Sequence, residues 1–353
     1  SVDENGTIIA KAVGSTNIQV KSNNKTAICT VNVLDYIEFS GSAEELKYYF
    51  EETGTSAIFL KLILVYSSSD PSLFPLTVPE NKYVRIDFNG ERIDYSPYSG
   101  SNPTSIIKNN GGVLVLEDNY PEPSMGGIYG SYYEESIVLD DGYISAVKNE
   151  KGTLIIKNTI YSLNYYVENN KICCSIDNHD KLIILGQSYQ PNYQPGVSRT
   201  FMRNASGASA SLNNVDTFGT IINEGKLEMR DCKFFFNGEF IVNTGALQRM
   251  ENCLITTGGN ASYNAVGIES TCTIGDIINC EFVVHDGISL NLISGEANSI
   301  VNCKLFGSIE VSDDFVLSTK LTDGRYSQLV PQSLIASGYS CKASGDYFVI
   351  SKD

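Results

Sequence analysis

The sequence predicts an all-β solenoid, a coiled parallel β-helix, and two observations carry that expectation. One is self-similarity. Asn223-Glu224-Gly225-Lys226-Leu227-Glu228-Met229-Arg230-Asp231-Cys232 is restated as Asn243-Thr244-Gly245-Ala246-Leu247-Gln248-Arg249-Met250-Glu251-Asn252-Cys253, and the ending returns at Asn279-Cys280 and Asn302-Cys303. The cysteines recur at intervals of 21, 27 and 23 residues, a period at which each unit buries its apolar face only by stacking on its neighbours. The other observation is the alternation in Leu227-x-Met229 and Cys232-x-Phe234. That period of two belongs to half-buried strands. Leucine-rich repeats share the long period but need a Leu-x-x-Leu-x-Leu frame that is absent here.

Stacked coils lie about 4.8 Å apart, so equivalent residues form columns. Cys232, Cys253, Cys280 and Cys303 are expected to make one inward file, since a free thiol packs as a small hydrophobe. Asp231, Asn252, Asn279 and Asn302, each one residue earlier, are expected at a bend, where these residue types tolerate left-handed backbone. Gly225 and Gly245 mark corners.

Composition bounds the partners. The chain has 353 residues, 42% of them hydrophobic, and a net charge of −16. Such an acidic chain excludes nucleic acid, whose phosphates require a basic surface, and equally an anionic membrane. No apolar run is long enough to insert into a bilayer; the best, from Ala57 to Tyr66, is interrupted by Lys61. Nine cysteines without a Cys-x-x-Cys pair do not read as a zinc protein. No metal or cofactor is expected, and a monomer is.

The first residues read as short alternating strands, Thr7–Lys11, Asn17–Lys21 and Ala27–Val33, separated by turn residues. The stretches Asn5-Gly6-Thr7-Ile8, Ala10-Lys11-Ala12-Val13-Gly14 and Thr26-Ala27-Ile28-Cys29-Thr30-Val31 resemble the C-terminal half of bacterial Ig-like (Big, group 2) domains. Residues 1–35 are therefore expected to be a partial module of that kind, and 36–353 the solenoid. The resemblance implies a bacterial, extracellular setting, cell-surface or secreted. The chain opens inside a strand pattern, as a piece cut from a longer protein does. A helix is expected over 42–53: Ser42 and Glu45 form a capping box, Leu46, Tyr49 and Phe50 share a face, and Gly54 stops it. It would cap the open first coil.

Strands follow at Ala57–Val65 and Tyr83–Phe88, and the passage Leu76 to Gly90, ending in Asn89-Gly90, resembles the entry coil of pectate-lyase-like right-handed β-helix proteins. Right-handed coiling is what that resemblance implies. Degenerate coils appear at Gly111–Glu117, Gly152–Tyr161 and Lys181–Leu185, with Asn158-Thr159 standing where Asp231-Cys232 stands later. The interval from Gly186 to Asn213 reads as an excursion from the coil, the place where solenoids carry function. Residues 324–353 break the repeat and are expected to cap the C-terminal end.

Acid pairs Glu134-Glu135, Asp140-Asp141 and Asp313-Asp314 do not converge by themselves, because neighbours on a strand point to opposite faces. Of the motifs of the pectin hydrolases only Asp140-Asp141 has an echo, and neither His179 nor His285 lies in Gly-His-Gly. Arg199 and Arg203, in the excursion, are the residues a lyase would use as base. No catalytic set is assigned. Tyrosines in loops and strands can stack on sugar faces; Tyr189, Tyr193 and Arg199, with Tyr129, Tyr132 and Tyr133, are the expected ligand contacts. The expected function is a non-catalytic, adhesin-like scaffold that binds glycans or host proteins. The alternative is a polysaccharide lyase or glycoside hydrolase on the same fold, since fold alone does not decide function.

Overall fold

A computed structural model of the chain describes residues 14–22, 25–33, 35–51, 54–95, 105–120, 126–133, 143–158, 160–166, 172–186, 200–236, 238–257 and 265–353. For residues 20, 22, 32, 130–133, 143–144, 160–166, 172–173 and 285–286 it describes the backbone alone. From residue 35 onward the chain winds as a parallel β-helix of three sheets.

Sheet A stacks Leu76–Val78, the first halves of Ser105–Glu117 and Tyr143–Lys157, then Ile172–Asn178, Thr200–Asn204, Thr220–Asn223, Glu239–Asn243 and Val266–Ser270. Sheet B runs from Ile37–Phe39 and Ala57–Leu62 through Lys181–Leu185, Lys226–Arg230 and Ala246–Glu251 to Phe315–Thr319. Sheet C has two runs: Tyr66–Ser68, Arg92–Tyr95, Gly127–Tyr133 and Ile160–Tyr166, then Asp216–Phe218, Lys233–Phe236, Leu254–Thr257 and the later coils down to Arg325–Tyr326.

Register converts the sequence repeat into columns. In sheet B, Leu114, Leu154, Leu182, Ala210, Leu227, Leu247, Ile274 and Ala297 are stacked register partners, and every one is buried. At about 25 cal/mol per Å² of apolar area, such columns are the main source of stability, and none of it is available to an isolated coil. Cys232, Cys253, Cys280 and Cys303 are all at most 2% exposed, and each Sγ donates to the carbonyl two residues before it at 3.1–3.3 Å. Val215 opens the same file: its carbonyl accepts from Lys233 as that of Cys232 accepts from Leu254. The touching thiol of Cys253, together with burial, pushes the Cys232 thiol up.

The residue before each thiol turns the chain from sheet B into sheet C. Asp231, Asn252, Asn279 and Asn302 have φ of 54°, 54°, 55° and 51°, and Asn89, Asn158 and Asn214 share that conformation. Their side chains form an exposed outer ladder, Asn252 to Asp231 at 3.0 Å, Asn279 to Asn252 at 3.2 Å and Asn302 to Asn279 at 2.9 Å.

The helix spans Ala43–Glu51. Its capping box is closed both ways, Ser42 N–H to Glu45 Oε2 at 2.8 Å and Glu45 N–H to Ser42 Oγ at 3.3 Å, and Leu46 and Phe50 are buried against the first coil. At the other end Tyr339–Ser344 and Tyr347–Lys352 form an antiparallel hairpin that pairs with Arg325–Tyr326. Gly14–Ser22 and Lys25–Val33 form an antiparallel hairpin; residues 1–13, including the Thr7–Lys11 strand of the sequence reading, lie outside the described residues. No helix among the described residues is long and apolar enough to cross a membrane.

One expectation is corrected. The interval 186–213 is not a single excursion, because Thr200–Asn204 and Ser209–Asn213 are regular strands of sheets A and B. Their Ser/Ala/Gly-rich sequence hid the alternation: Ala210 and Leu212 face the core while serines 209 and 211 face outward. Arg203 consequently sits on a strand.

Candidate ligand-contact face and charge network

The outer face of sheet C collects aromatic rings and cations. Arg92 places its guanidinium carbon 5.3 Å from the ring centroid of Tyr129, and Asp94 lies 4.0 Å from Arg92 Nε. Further along, Lys233 Nζ is 4.9 Å from the Phe235 ring. At the C-terminal end Arg325 lies 5.4 Å from the Tyr347 ring, which meets Phe306 edge-on at 5.6 Å. Alternation explains the placement: Phe234 and Phe236 point into the core and are fully buried, which turns Lys233 and Phe235 outward. Register then aligns Lys233, Leu254, Glu281, Lys304 and Arg325 in one column and Phe235, Thr256, Val283 and Phe306 in the next. Lys304 Nζ bonds Glu281 at 3.0 Å. Burial pushes the Tyr129 phenol up, keeping its hydroxyl protonated as a donor.

Sheet A carries a second feature, a charge network across adjacent coils. Asp177 is 2% exposed; His179 Nε2 lies 2.9 Å from its Oδ2, and Arg203 Nη1 lies 3.5 Å from its Oδ1. Arg203 continues to Glu224 at 3.0 Å. One coil earlier Lys108 bonds Glu150 at 2.5 Å, with Lys148 at 4.0 Å from the same carboxyl. Those cations hold the Glu150 carboxyl below the usual range, the Lys108 hydrogen bond most of all. Each of the three acids, Asp177, Glu224 and Glu150, is paired with a cation from its own or an adjacent coil. Among the described residues no group of His, Cys, Asp and Glu converges as a metal site.

Of the residues the sequence singled out, Tyr129 lies on the outer face of sheet C, half-buried. Tyr132 and Tyr133 belong to the same strand, where the backbone pairs them with Tyr165 and Tyr166. Tyr189, Tyr193 and Arg199 lie outside the described residues, as do Glu134-Glu135 and Asp140-Asp141. Asp313-Asp314 is an exposed turn, and His285 falls within the strand Glu281–Leu292.

Sequence reasoning missed the polar spine. Asn109, Asn149, Asn178, Asn204, Asn223 and Asn243 are all 0% exposed, and each donates from Nδ2 to the Oδ1 of the next at 2.7–2.8 Å, ending on Ser270 Oγ at 3.0 Å. Most also donate to backbone carbonyls at the corner from sheet A to sheet B, for example Asn178 to Ser209 O at 3.1 Å. The signal was present as the first residue of Asn223-x-Gly225 and Asn243-x-Gly245. The glycine is as necessary as the amide: a Cβ at Gly245 would meet the Glu224 carbonyl carbon and Gly225 O at 2.4 Å. Compared with protein-family models, with curated proteins and with solved structures, the chain matches none.

Proposed function

We propose that the chain is a non-catalytic, extracellular scaffold of a bacterial surface or secreted protein, adhesin-like in role, that contacts glycans along the outer face of sheet C. The observation that carries this reading is the ring-and-cation pairing repeated on that one face, Arg92/Tyr129, Lys233/Phe235 and Arg325/Tyr347. Aromatic faces stack on the apolar faces of sugar rings, and neighbouring charged groups bond the hydroxyls at their edges. A coil rise of about 4.8 Å repeats such contacts along a rigid axis, which suits an extended oligosaccharide. The extracellular setting is supported by the resemblance of the N-terminal residues to bacterial Ig-like modules.

The test is a glycan array probed with the full chain beside Phe235→Ala and Tyr347→Ala. Losing one stacking partner is expected to weaken binding about threefold to tenfold, while Phe59→Ala, on sheet B, leaves it unchanged. A lyase or hydrolase is the competing reading, and the His179–Asp177–Arg203 network is the observation that favours it. Reducing-sugar release from plant and mucin polysaccharides, abolished by Asp177→Asn, would establish that reading and refute the non-catalytic one.

A further inference from the structure

At the N-terminal end of the solenoid, on sheet B rather than sheet C, a cleft of about 230 Å³ opens to solvent. Its walls are Asp35 and Ile37 from the segment entering the first strand, Tyr49 from the capping helix, and Thr55, Ala57 and Phe59 from the strand beside it. The volume falls short of the ~300 Å³ at which pockets for drug-sized molecules begin. One side chain or one small ring fills it.

Two walls are held by a clamp that reaches across the neighbouring coils. Tyr36, between Asp35 and Ile37, donates its hydroxyl to Glu117 Oε1 at 2.5 Å, and Arg85 Nε donates to the same oxygen at 2.5 Å. Glu117 is 2% exposed. The Arg85 guanidinium lies 5.5 Å from the ring centroids of both Tyr36 and Phe59, and Phe59 has Tyr36 at 5.8 Å on one side and Tyr83 at 5.5 Å on the other. The Phe59 ring and the 35–37 segment are thereby positioned before any ligand arrives, which spares the ligand the cost of ordering them.

The lining selects a charge type. Asp35 is exposed and is the one acid among the described residues of the walls, which include no lysine or arginine. The two cations behind the walls are already engaged, Lys82 Nζ with the carbonyl of Tyr49 at 2.8 Å and Arg85 with Glu117. An ammonium on an apolar stem finds aliphatic and aromatic walls for the stem and the Asp35 carboxylate for the charge. The net charge of −16 also raises the local concentration of cationic partners. We infer that this cleft is a binding site for a primary alkylammonium group, the lysyl side chain of a partner polypeptide.

The experiment is an amide-shift NMR titration of the full chain with Nα-acetyl-lysine methylamide, and in parallel with the norleucine analogue, which keeps the stem and lacks the charge. The lysine probe is expected to shift the amides of residues 35–37, 49 and 55–59 saturably at millimolar concentration, and the norleucine probe to bind at least about tenfold more weakly. Asp35→Asn, at an exposed position, is expected to leave the rest of the spectrum unchanged and to lower lysine affinity by a similar factor. Absence of saturable shifts with the lysine probe, equal response to both probes, or full lysine affinity in Asp35→Asn each overturns the assignment. None of these outcomes bears on the glycan face, which is read from sheet C variants.

Discussion

Replacing Asn223 by alanine isolates the energetic worth of the inner amide spine. Asn223 Oδ1 accepts from Asn204 at 2.8 Å and its Nδ2 donates to Asn243 Oδ1 at 2.7 Å, all at 0% exposure. After substitution Asn204 Nδ2 retains Lys226 O at 2.9 Å, so the donor side loses one bond worth about 1 kcal/mol net. Asn243 Oδ1 loses its amide donor in a buried setting, a penalty of about 1–3 kcal/mol. The sum is about 2–4 kcal/mol. Because a solenoid opens locally, the loss should appear in the coils that contain the spine rather than as a single global transition. Native-state amide hydrogen exchange, read on peptides covering 200–250, should accelerate about 30- to 700-fold, with the coils beyond 295 little changed. Asn252→Gly is the control: it removes an amide from the outer, exposed ladder while keeping a residue at ease at φ 54°, and should cost less than about 1 kcal/mol. Equal acceleration by the two variants, or acceleration in Asn223→Ala of less than about fivefold, would refute the view that buried amide pairing holds the coils in register.

Other perturbations follow from the same geometry. Asp231→Asn should stabilise by about 0.5–1 kcal/mol, read as a raised Tm, because Asp231 can only accept in the outer ladder whereas an amide there gains a donor that can extend it toward Asn214. Gly245→Ala should destabilise by about 1–3 kcal/mol, since the added Cβ would press on backbone atoms that do not yield. Thiol labelling of the native chain with Ellman's reagent should modify exposed Cys29 and spare Cys232, Cys253, Cys280 and Cys303 until unfolding, and Cys253→Val should cost under about 1.5 kcal/mol, as Val215 already occupies that file. Burial opposes ionisation of Glu117, yet the hydrogen bonds from Arg85 and Tyr36 prevail and hold its carboxyl below its usual range. A depressed folded-state pKa gives stability that is complete above the unfolded value of 4.5 and lost as pH falls below it through the folded value. Glu117→Gln should therefore flatten the fall of Tm below about pH 4.5, and an unaltered acid limb would show that the clamp contributes nothing.

How far the fold was legible depended on which residues repeat in identity and which repeat only in role. The thiols recur as Cys, so the coil period could be counted from them. The left-handed corner recurs as Asn or Asp directly before them, and its φ values follow from residue type. The inner spine is as regular in space, but its members are spaced by whatever loop intervenes: 40 residues separate Asn109 from Asn149, and 19 separate Asn204 from Asn223. In a chain rich in asparagine those six do not stand out without the register. The same masking operates at 200–213, where serine and alanine replace the leucines that announce a strand elsewhere. Site residues were harder still, because the ring-and-cation pairs are cross-coil neighbours. Arg92 and Tyr129 become adjacent only when Gly127 aligns with Arg92, a pairing that no local pattern encodes.

That division bears on function. Residues facing inward are chosen by the coil, which repeats, and so they leave a periodic trace. Outward residues are free of that constraint, so a departure from solvated charge on an outer face asks for its own explanation. On sheet A the outward charges neutralise one another, Asp177 with Arg203 and Glu150 with Lys108, and the bonds they make explain them. On sheet C, Phe235 and Tyr347 stand beside cations at 4.9 and 5.4 Å on a surface where solubility alone would select neither ring. Pairing with a cation is worth about 0.5–1 kcal/mol at an exposed site, less than the ~1.5 kcal/mol or more that burying a large apolar side chain would return. Tyr347 is 36% exposed and Phe235 less, so the burial that each ring still forgoes is about matched by its cation partner. A ligand laid across them would add burial of the ring surface that remains exposed, and this is the physical reason for testing sheet C first.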